Sequence, residues 1–302
     1  MRSGACCCVG CQTNTSNPEN DNQRSELKTG KEVAMAAIDG ATRIYAIVGD
    51  PIAHARSPLV YNPRIAKAGR NAVLVPWHVP AAAFDVAMRG LQQAANVDGI
   101  IITFPFKQQA LAFADDIGLR ARQVGATNVL RREADGRWTA DMFDGVGLVR
   151  AVTAAGKTVR QQRVWLIGAG GAGSAIALAL ADAGAAALHI TDLNLARAKS
   201  VAEAVAATYP ACTVATTTPN LDDISILINA TTVGLAGEGE LPVAVTSLPD
   251  HLTVVDIVPR RDPTRLLRLA QTSGCTTIAG GAMVEGQADA VLDFLWHHPG
   301  KT

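Results

Sequence analysis

A chain of 302 residues that sets 27 lysines and arginines against 27 aspartates and glutamates has no formal net charge. It lacks the electrostatic footprint for nucleic acid or an anionic membrane, so neither is expected as a partner. With 48% hydrophobic and 18% charged residues, it reads as a globular protein long enough for two domains. No apolar run is long enough to span a bilayer; the best candidate, Ala175 to Ile190, is interrupted by Asp182 and reads as a helix followed by a strand.

The N-terminal stretch has no signal-type apolar core before its polar segment. Asn, Ser, Thr and charged residues dominate Gln12 to Glu32, so a disordered tail is expected over about residues 1–40, with Met35 a candidate start. Cys6, Cys7, Cys8 and Cys11 crowd into that tail. Cys8 and Cys11 have metal-ligand spacing, but no neighbouring histidine or second cysteine pair completes a site, and no metal is expected. Cys212 and Cys275 are isolated and read as small buried hydrophobes. A reducing, cytoplasmic setting follows as the default. The histidines show no metal spacing beyond the adjacent His297 and His298.

From Arg43 onward strands and helices alternate. Arg43–Gly49 reads as a strand, Ser57 opens a loop into a helix, Ala72–Val79 is a second strand, and Ala81–Ala94 carries a helical pattern. Asp98–Phe104 is a third strand, whose unbroken apolar run suits a sheet buried on both faces. It ends in Pro105, Phe106 and Lys107, and from that segment alone Lys107 reads as a solvated charge in the first turn of a helix. Ala126–Glu133 and Gly136–Asp141 form a hairpin about Asp135-Gly136. A helix over Val146–Ala155 then leads to a polar break.

The second half opens with a strand, Val164–Ile167, that runs into Gly168-Ala169-Gly170-Gly171-Ala172-Gly173 and an Ala/Leu-rich helix. Strand Ala187–Asp192, helix Asn194–Tyr209, and strands Ile224–Ala230 and Leu252–Val258 follow, the order of a doubly wound nucleotide-binding domain. Gly280–His298 is one amphipathic helix lying beyond that pattern and is expected to pack back across the cleft. The predicted fold class is therefore α/β. An N-terminal α/β substrate domain (residues 41–145 with 280–302) faces a Rossmann-type doubly wound domain (residues 146–279) across a cleft.

A glycine-rich turn between a strand and a helix, with an acidic residue ending the next strand, is the context that makes a dinucleotide fingerprint specific. Gly168 permits the tight turn, Gly170 lets the backbone approach a pyrophosphate, and Gly173 lets the helix lie close to the sheet. The free amides and positive end of that helix hold phosphates. Asp192 ends the second strand, where a carboxylate accepts hydrogen bonds from the adenosine ribose hydroxyls and repels a 2′-phosphate, so NAD is expected over NADP. Its alternative role is N-cap of the following helix. Arg197, one turn in, would soften the discrimination.

Read in order, the segments Gly49–Pro58 (GDPIAHARSP), Ile102–Lys107 (ITFPFK), Gly125–Leu130 (GATNVL), Asp141–Gly147 (DMFDGVG), Gly168–Ala175 (GAGGAGSA), Asn229–Gly234 (NATTVG), Val254–Val258 (VVDIV), Asp262–Leu267 (DPTRLL) and Gly280–Ala288 (GGAMVEGQA) resemble the shikimate dehydrogenase family over nearly everything from Arg43 to Trp296. The resemblance implies an oxidoreductase that acts on a cyclic hydroxy acid of the shikimate/quinate type. Lys107 and Asp144 would be its catalytic pair. Ser57, Thr103, Asn128 and Gln287 would contact the substrate, and Gly168, Gly170, Gly171, Gly173, Asp192, Asn229 and Thr231 the cofactor. It also explains the lysine, because the C-terminal ends of parallel strands face the ligand cleft. Each residue has a structural alternative: Asp144 an N-cap, Asn128 a turn residue, Gln287 a solvated helix face.

Four positions depart from the family pattern: Ala55 for the first serine of a Ser-x-Ser pair, Ile101 for an asparagine, Phe143 for a threonine after Met142, and Pro259 for a tyrosine. Arg56 offers a substitute charge. Each lost polar contact costs about 1–3 kcal/mol if the same ligand binds in the same way, so the expected substrate is a related, less polar hydroxy acid. The alternatives are an NADP-dependent biosynthetic shikimate dehydrogenase, reducing 3-dehydroshikimate for aromatic amino acid synthesis, and a non-catalytic NAD-binding sensor. An interaction protein working through the cysteine-rich tail is a third class. A monomer or homodimer is expected.

Overall fold

Two sheets organise the chain. The computed structural model describes residues 37–235, 237 and 239–296; the expectations for the cysteine-rich tail and for His297 and His298 lie outside them. The described residues belong to one compact unit. In the first half, β1 (Arg43–Gly49), α1 (Ser57–Lys67), β2 (Ala72–His78), α2 (Phe84–Gln93) and β3 (Val97–Ile102) are followed by β4 (Asp116–Ile117), α3 (Leu119–Val124), β5 (Val129–Arg132) and β6 (Trp138–Asp141). The strands form one six-stranded sheet in the order β2-β1-β3-β5-β6-β4. β1 lies parallel to β2 and β3, and the β5–β6 hairpin adds antiparallel to β3.

Helix α4 (Asp144–Ala154) leads to the second half. There β7 (Arg163–Ile167), α5 (Gly171–Asp182), β8 (Ala187–Thr191), α6 (Leu195–Thr208), β9 (Thr213–Ala215), β10 (Ile226–Asn229), β11 (Thr253–Asp256), α7 (Arg265–Thr272) and β12 (Thr276–Ala279) follow. This sheet is parallel throughout, in the order β12-β11-β10-β7-β8-β9. Its strand order reverses between β7 and β10, the topological switch at which doubly wound sheets bind ligands. The final helix, α8 (Gly280–Trp296), returns to the first half and shares a core with α1 and the first sheet.

Both faces of each sheet are covered, which is why the central strands are apolar throughout. In the first sheet Ile101 and Tyr45 face Val60, Tyr61, Val291 and Leu295 of α1 and α8, while Ile100, Ile102 and Ala46 face Phe84, Met88 and Leu91 of α2. Alternate residues of one strand thus feed opposite cores. In the second sheet Leu166, Ile190 and Ile228 pack under α4, α5 and α6, and Trp165, Leu227 and Val254 meet α7.

Three glycines join the halves. A Cβ on Gly145 would fall inside contact distance of the Ala175 carbonyl oxygen on α5. One on Gly147 would strike the Met283 carbonyl of α8, and one on Gly286 would strike the carbonyl of Gly147. Helix α4 therefore crosses α8 backbone to backbone and touches α5 on its other side.

The boundaries differ from the sequence expectation in instructive ways. Helix α4 begins at Asp144 instead of Val146, because Phe143 takes the N-cap position and Gly145 is helical. The α6 N-cap is Asn194, whose side chain accepts from the amides of Ala196 and Arg197, so Asp192 does not cap that helix. The short strands β4 and β9 and the helices α3 and α7 carry too few periods to be read from pattern alone.

We expect Gly147→Ala and Gly286→Ala each to lower the unfolding free energy by about 1–3 kcal/mol, the usual cost of overpacking. Gly90→Ala, on an open face of α2 with nothing near its added methyl, should stabilise by roughly 0.5–1 kcal/mol. Urea unfolding of the three variants checks both signs, and a neutral Gly147→Ala would contradict the close crossing.

Candidate active site

Lys107 stands just beyond the end of β3 and Asp144 is the first residue of α4, and the two form an ion pair. The Asp144 side chain is 2% exposed and that of Lys107 15%. A buried carboxylate needs each oxygen satisfied, and here both are: Lys107 Nζ donates to Oδ2, and Asn128 Nδ2 donates to Oδ1 at 2.9 Å. Asn128 Nδ2 also donates to Gln287 Oε1 at 2.7 Å, while Asn128 Oδ1 accepts from the Phe143 amide at 2.9 Å. That last bond fixes which end of the Asn128 amide is oxygen. Lys107, Asn128, Asp144 and Gln287 are thus brought into one network from four separate segments.

The local backbone is tied as firmly. The Thr127 amide donates to the Lys107 carbonyl at 2.8 Å, and Thr127 Oγ1 donates to the Asp141 carbonyl at 2.7 Å. Asp141 pairs with Arg120 and accepts from the Met142 amide at 2.8 Å. Arg120 Nε donates to the Met142 carbonyl at 3.1 Å and its guanidinium lies 4.3 Å from the Phe143 ring centre. Arg120 and Asp141 therefore clamp the residues immediately before Asp144. Sequence reasoning missed them, since nothing in their spacing marks a positioning role.

Ser57 opens α1 and is buried, and Thr103 follows β3 half-buried. Among the described residues neither hydroxyl has a hydrogen-bond partner, and neither is an enclosed orphan: the one such side-chain atom is Trp296 Nε1. Both hydroxyls therefore reach accessible space. The departures Ala55, Ile101 and Phe143 gather into the apolar cluster of α1 and α8, with Phe143 against Phe294 at 5.5 Å between ring centres. Tyr61, which sequence reasoning did not single out, belongs to the same cluster.

The glycine-rich turn fits a dinucleotide. Gly168 has φ +104°, a conformation that favours glycine, and an added Cβ there would meet the Ala230 backbone. A Cβ on Gly173 would collide with the Gly168 carbonyl, so only glycine lets α5 start this close to the strand. Gly170, by contrast, faces open space, the room a phosphate group needs. Asp192 Oδ2 accepts from the Ala169 amide at 2.7 Å and Oδ1 from the Asn194 amide at 2.7 Å, which leaves lone pairs for ribose hydroxyls. A Cβ on Gly171 would come 3.2 Å from the Cβ of Lys107, so the phosphate-binding turn adjoins the lysine directly.

Asn229 is used inside the protein, and Thr231, half-buried beside it, bonds back to it. Asn229 is fully buried: Nδ2 donates to Asp256 Oδ1 at 3.0 Å and the Val233 carbonyl at 3.3 Å, and Oδ1 accepts from Thr231 Oγ1 at 2.7 Å. Burial pushes the Asp256 carboxyl above its ordinary range, opposed by hydrogen bonds from Thr264, Val258 and Asn229. This network holds the loop after β10 against Gly168. Asn229 has no surface left for a cofactor and shapes the cleft through that loop.

Comparison with known proteins identifies the arrangement. The profile of the shikimate dehydrogenase substrate binding domain matches residues 47–130, and that of shikimate/quinate 5-dehydrogenase matches residues 150–264. The shikimate dehydrogenase (NADP(+)) of Caulobacter vibrioides is 36% identical over 262 residues, covering 86% of this chain and 92% of the relative. The chain belongs to the shikimate dehydrogenase family. Among solved structures, shikimate dehydrogenase from Aquifex aeolicus superposes with a TM-score of 0.76 at 26% identity, over 86% of this chain and 94% of that one. Shikimate 5-dehydrogenase from Listeria monocytogenes, solved in complex with shikimate and NAD, gives a TM-score of 0.73 at 27% identity, over 87% and 94%. The protein is accordingly an NAD(P)-dependent oxidoreductase of the shikimate dehydrogenase family, acting on a CH–OH group. No helix among the described residues is long and apolar enough to cross a membrane.

We expect Lys107→Ala and Asp144→Ala each to lower kcat by about 10²–10⁴-fold, the usual contribution of a general acid–base group. Nucleotide binding, measured by fluorescence titration, should stay nearly unchanged, because both side chains lie outside the dinucleotide turn. Near-native turnover in either variant would remove that residue from the chemistry.

Proposed function

We propose that the protein is an NAD-dependent dehydrogenase that interconverts a cyclic hydroxy acid of the shikimate/quinate type and its ketone, with Lys107 and Asp144 handling the proton. The observation that carries this reading is the Lys107–Asp144 pair beside Gly171 of the dinucleotide turn. In this reading residues 41–145 with the last helix bind the substrate, and residues 146–279 bind the nucleotide.

Oxidising a secondary alcohol requires the hydroxyl proton to leave as hydride departs from the same carbon. Bound nicotinamide supplies the hydride acceptor, and the donor in reverse; Gly168, Gly170, Gly171, Gly173 and Asp192 would hold the dinucleotide. Neither a carboxylate nor an ammonium alone is an effective base toward an alcohol. The two therefore work as a coupled unit. In oxidation Lys107 Nζ takes up the hydroxyl proton and in reverse it returns that proton to the ketone oxygen, while Asp144 orients that nitrogen and balances its charge. Asn128 and Gln287 keep Asp144 from turning away. Ser57 and Thr103 offer free hydroxyls to the substrate's polar substituents.

Asp192 supports NAD. A 2′-phosphate would bring a second negative charge against a carboxylate fixed by two backbone amides. The opposing reading, NADP, has in its favour that the Caulobacter vibrioides relative, like those of Rhodospirillum rubrum and Chromohalobacter salexigens, is named an NADP(+) enzyme. Ala55, Ile101 and Phe143 in one apolar cluster support a substrate less polar than shikimate.

Steady-state reduction of NAD and NADP with shikimate, quinate and related cyclic alcohols tests the reading. We expect kcat/KM with NAD to exceed that with NADP by roughly tenfold or more, the scale of about one unfavourable charge contact. Shikimate should be limited by a high KM more than by a low kcat. A preference for NADP overturns the cofactor assignment. A low shikimate KM overturns the reading of the apolar departures.

A further inference from the structure

We propose that Tyr61 is a substrate-recognition residue, its hydroxyl hydrogen-bonding a ring hydroxyl of the hydroxy acid on which Lys107 and Asp144 act. The inference rests on the dehydrogenase reading above and names a specificity group within that site. Tyr61 lies four residues after Ser57 on α1, so the two side chains leave the same face of the helix.

The tyrosine is only 2% exposed and belongs to the apolar cluster that also holds Ile101, Val129 and Phe143. A phenol buried to this degree normally gives its hydroxyl a partner. This one has none among the described residues. It is not sealed in either, because among the described residues Trp296 Nε1 is the one enclosed side-chain polar atom without a partner. The Tyr61 oxygen therefore reaches accessible space from within an otherwise closed apolar wall, as the hydroxyls of Ser57 and Thr103 do.

Ser57 on the same helix face, and Phe143 of the same apolar cluster, which directly precedes Asp144 in the chain, set the residue beside the candidate site. Burial first, and then the negative charge of Asp144, push the phenol pKa far above its ordinary value. The group is therefore a neutral hydroxyl, with one proton to donate and lone pairs to accept. Such a group suits a ring hydroxyl, which is donor and acceptor in turn. In a pocket where Ala55, Ile101 and Phe143 supply no polar contact, it is a polar group fixed by its surroundings. Its χ angles are already held by packing, so little entropy is lost when a ligand engages it.

Tyr61→Phe separates this role from a structural one. No hydrogen bond among the described residues is lost, so the melting temperature and the nucleotide KM should match the native enzyme. With shikimate or quinate, kcat/KM should fall about 5–100-fold, chiefly through KM, as when one buried hydrogen bond to a ligand is removed. With an analogue lacking the contacted ring hydroxyl, the native and Phe enzymes should perform alike. A Tyr61→Phe enzyme with native kcat/KM on every compound that the native enzyme oxidises overturns this proposal alone. Native turnover by Lys107→Ala overturns the reading of the site on which it rests, and a native protein that neither binds nor oxidises shikimate, quinate or any related cyclic hydroxy acid overturns both.

Discussion

Everything at this site depends on how closely helix α4 is held. Gly147 and Gly286 let it cross α8 at backbone contact, and Gly145 lets α5 press against it from the other side. Asp144 heads that helix, so its position is set by carbonyl groups that cannot yield instead of by flexible side chains. One crossing therefore fixes the carboxylate relative to Gln287 on α8 and to the dinucleotide turn that opens α5. A methyl group at any of these glycines would move the carboxylate and the two helices together. The cost of that packing is glycine in helix interiors, about 0.5–1 kcal/mol each relative to alanine.

The same constraint explains how a carboxylate can be almost wholly buried. Removing a charge from water costs several kcal/mol unless the site returns it through pairing and hydrogen bonds. Asp144 receives a lysine on one oxygen and an amide donor on the other. Asn128 is held in turn by Gln287 and by the Phe143 amide. The lysine keeps some exposure while its partner keeps almost none. That asymmetry suits a pair in which the lysine meets the substrate and the aspartate stays behind it.

The sequence makes some of this legible. The alternating α/β order, the glycine-rich turn and the strand end at Lys107 follow from period, glycine spacing and the rule that strand C-termini face the cleft. Helix α4 starts two residues before the expected Val146, because glycines at 145 and 147 look like helix breakers until their neighbours are known. Asp192 was open to two readings, and the cap went to Asn194 because its side chain reaches the first-turn amides. Asn229 looked like a ligand residue, yet its amide is consumed inside the protein. Gln287 and Asn128 bond across 159 residues of chain, a closeness that periodicity cannot express and only the family resemblance suggested. Tyr61, Arg120 and Asp141 escaped both routes: their importance comes from what surrounds them in space.

The central claim is that Lys107 and Asp144 act as one proton-handling unit, and a double-mutant cycle on kcat tests it most directly. With Lys107→Ala, Asp144→Ala and the double variant measured on one substrate, the account predicts that the double loses about as much as the worse single, as residues acting as a unit do. Losses that multiply, with the double variant slower by the product of the two single effects, would contradict it.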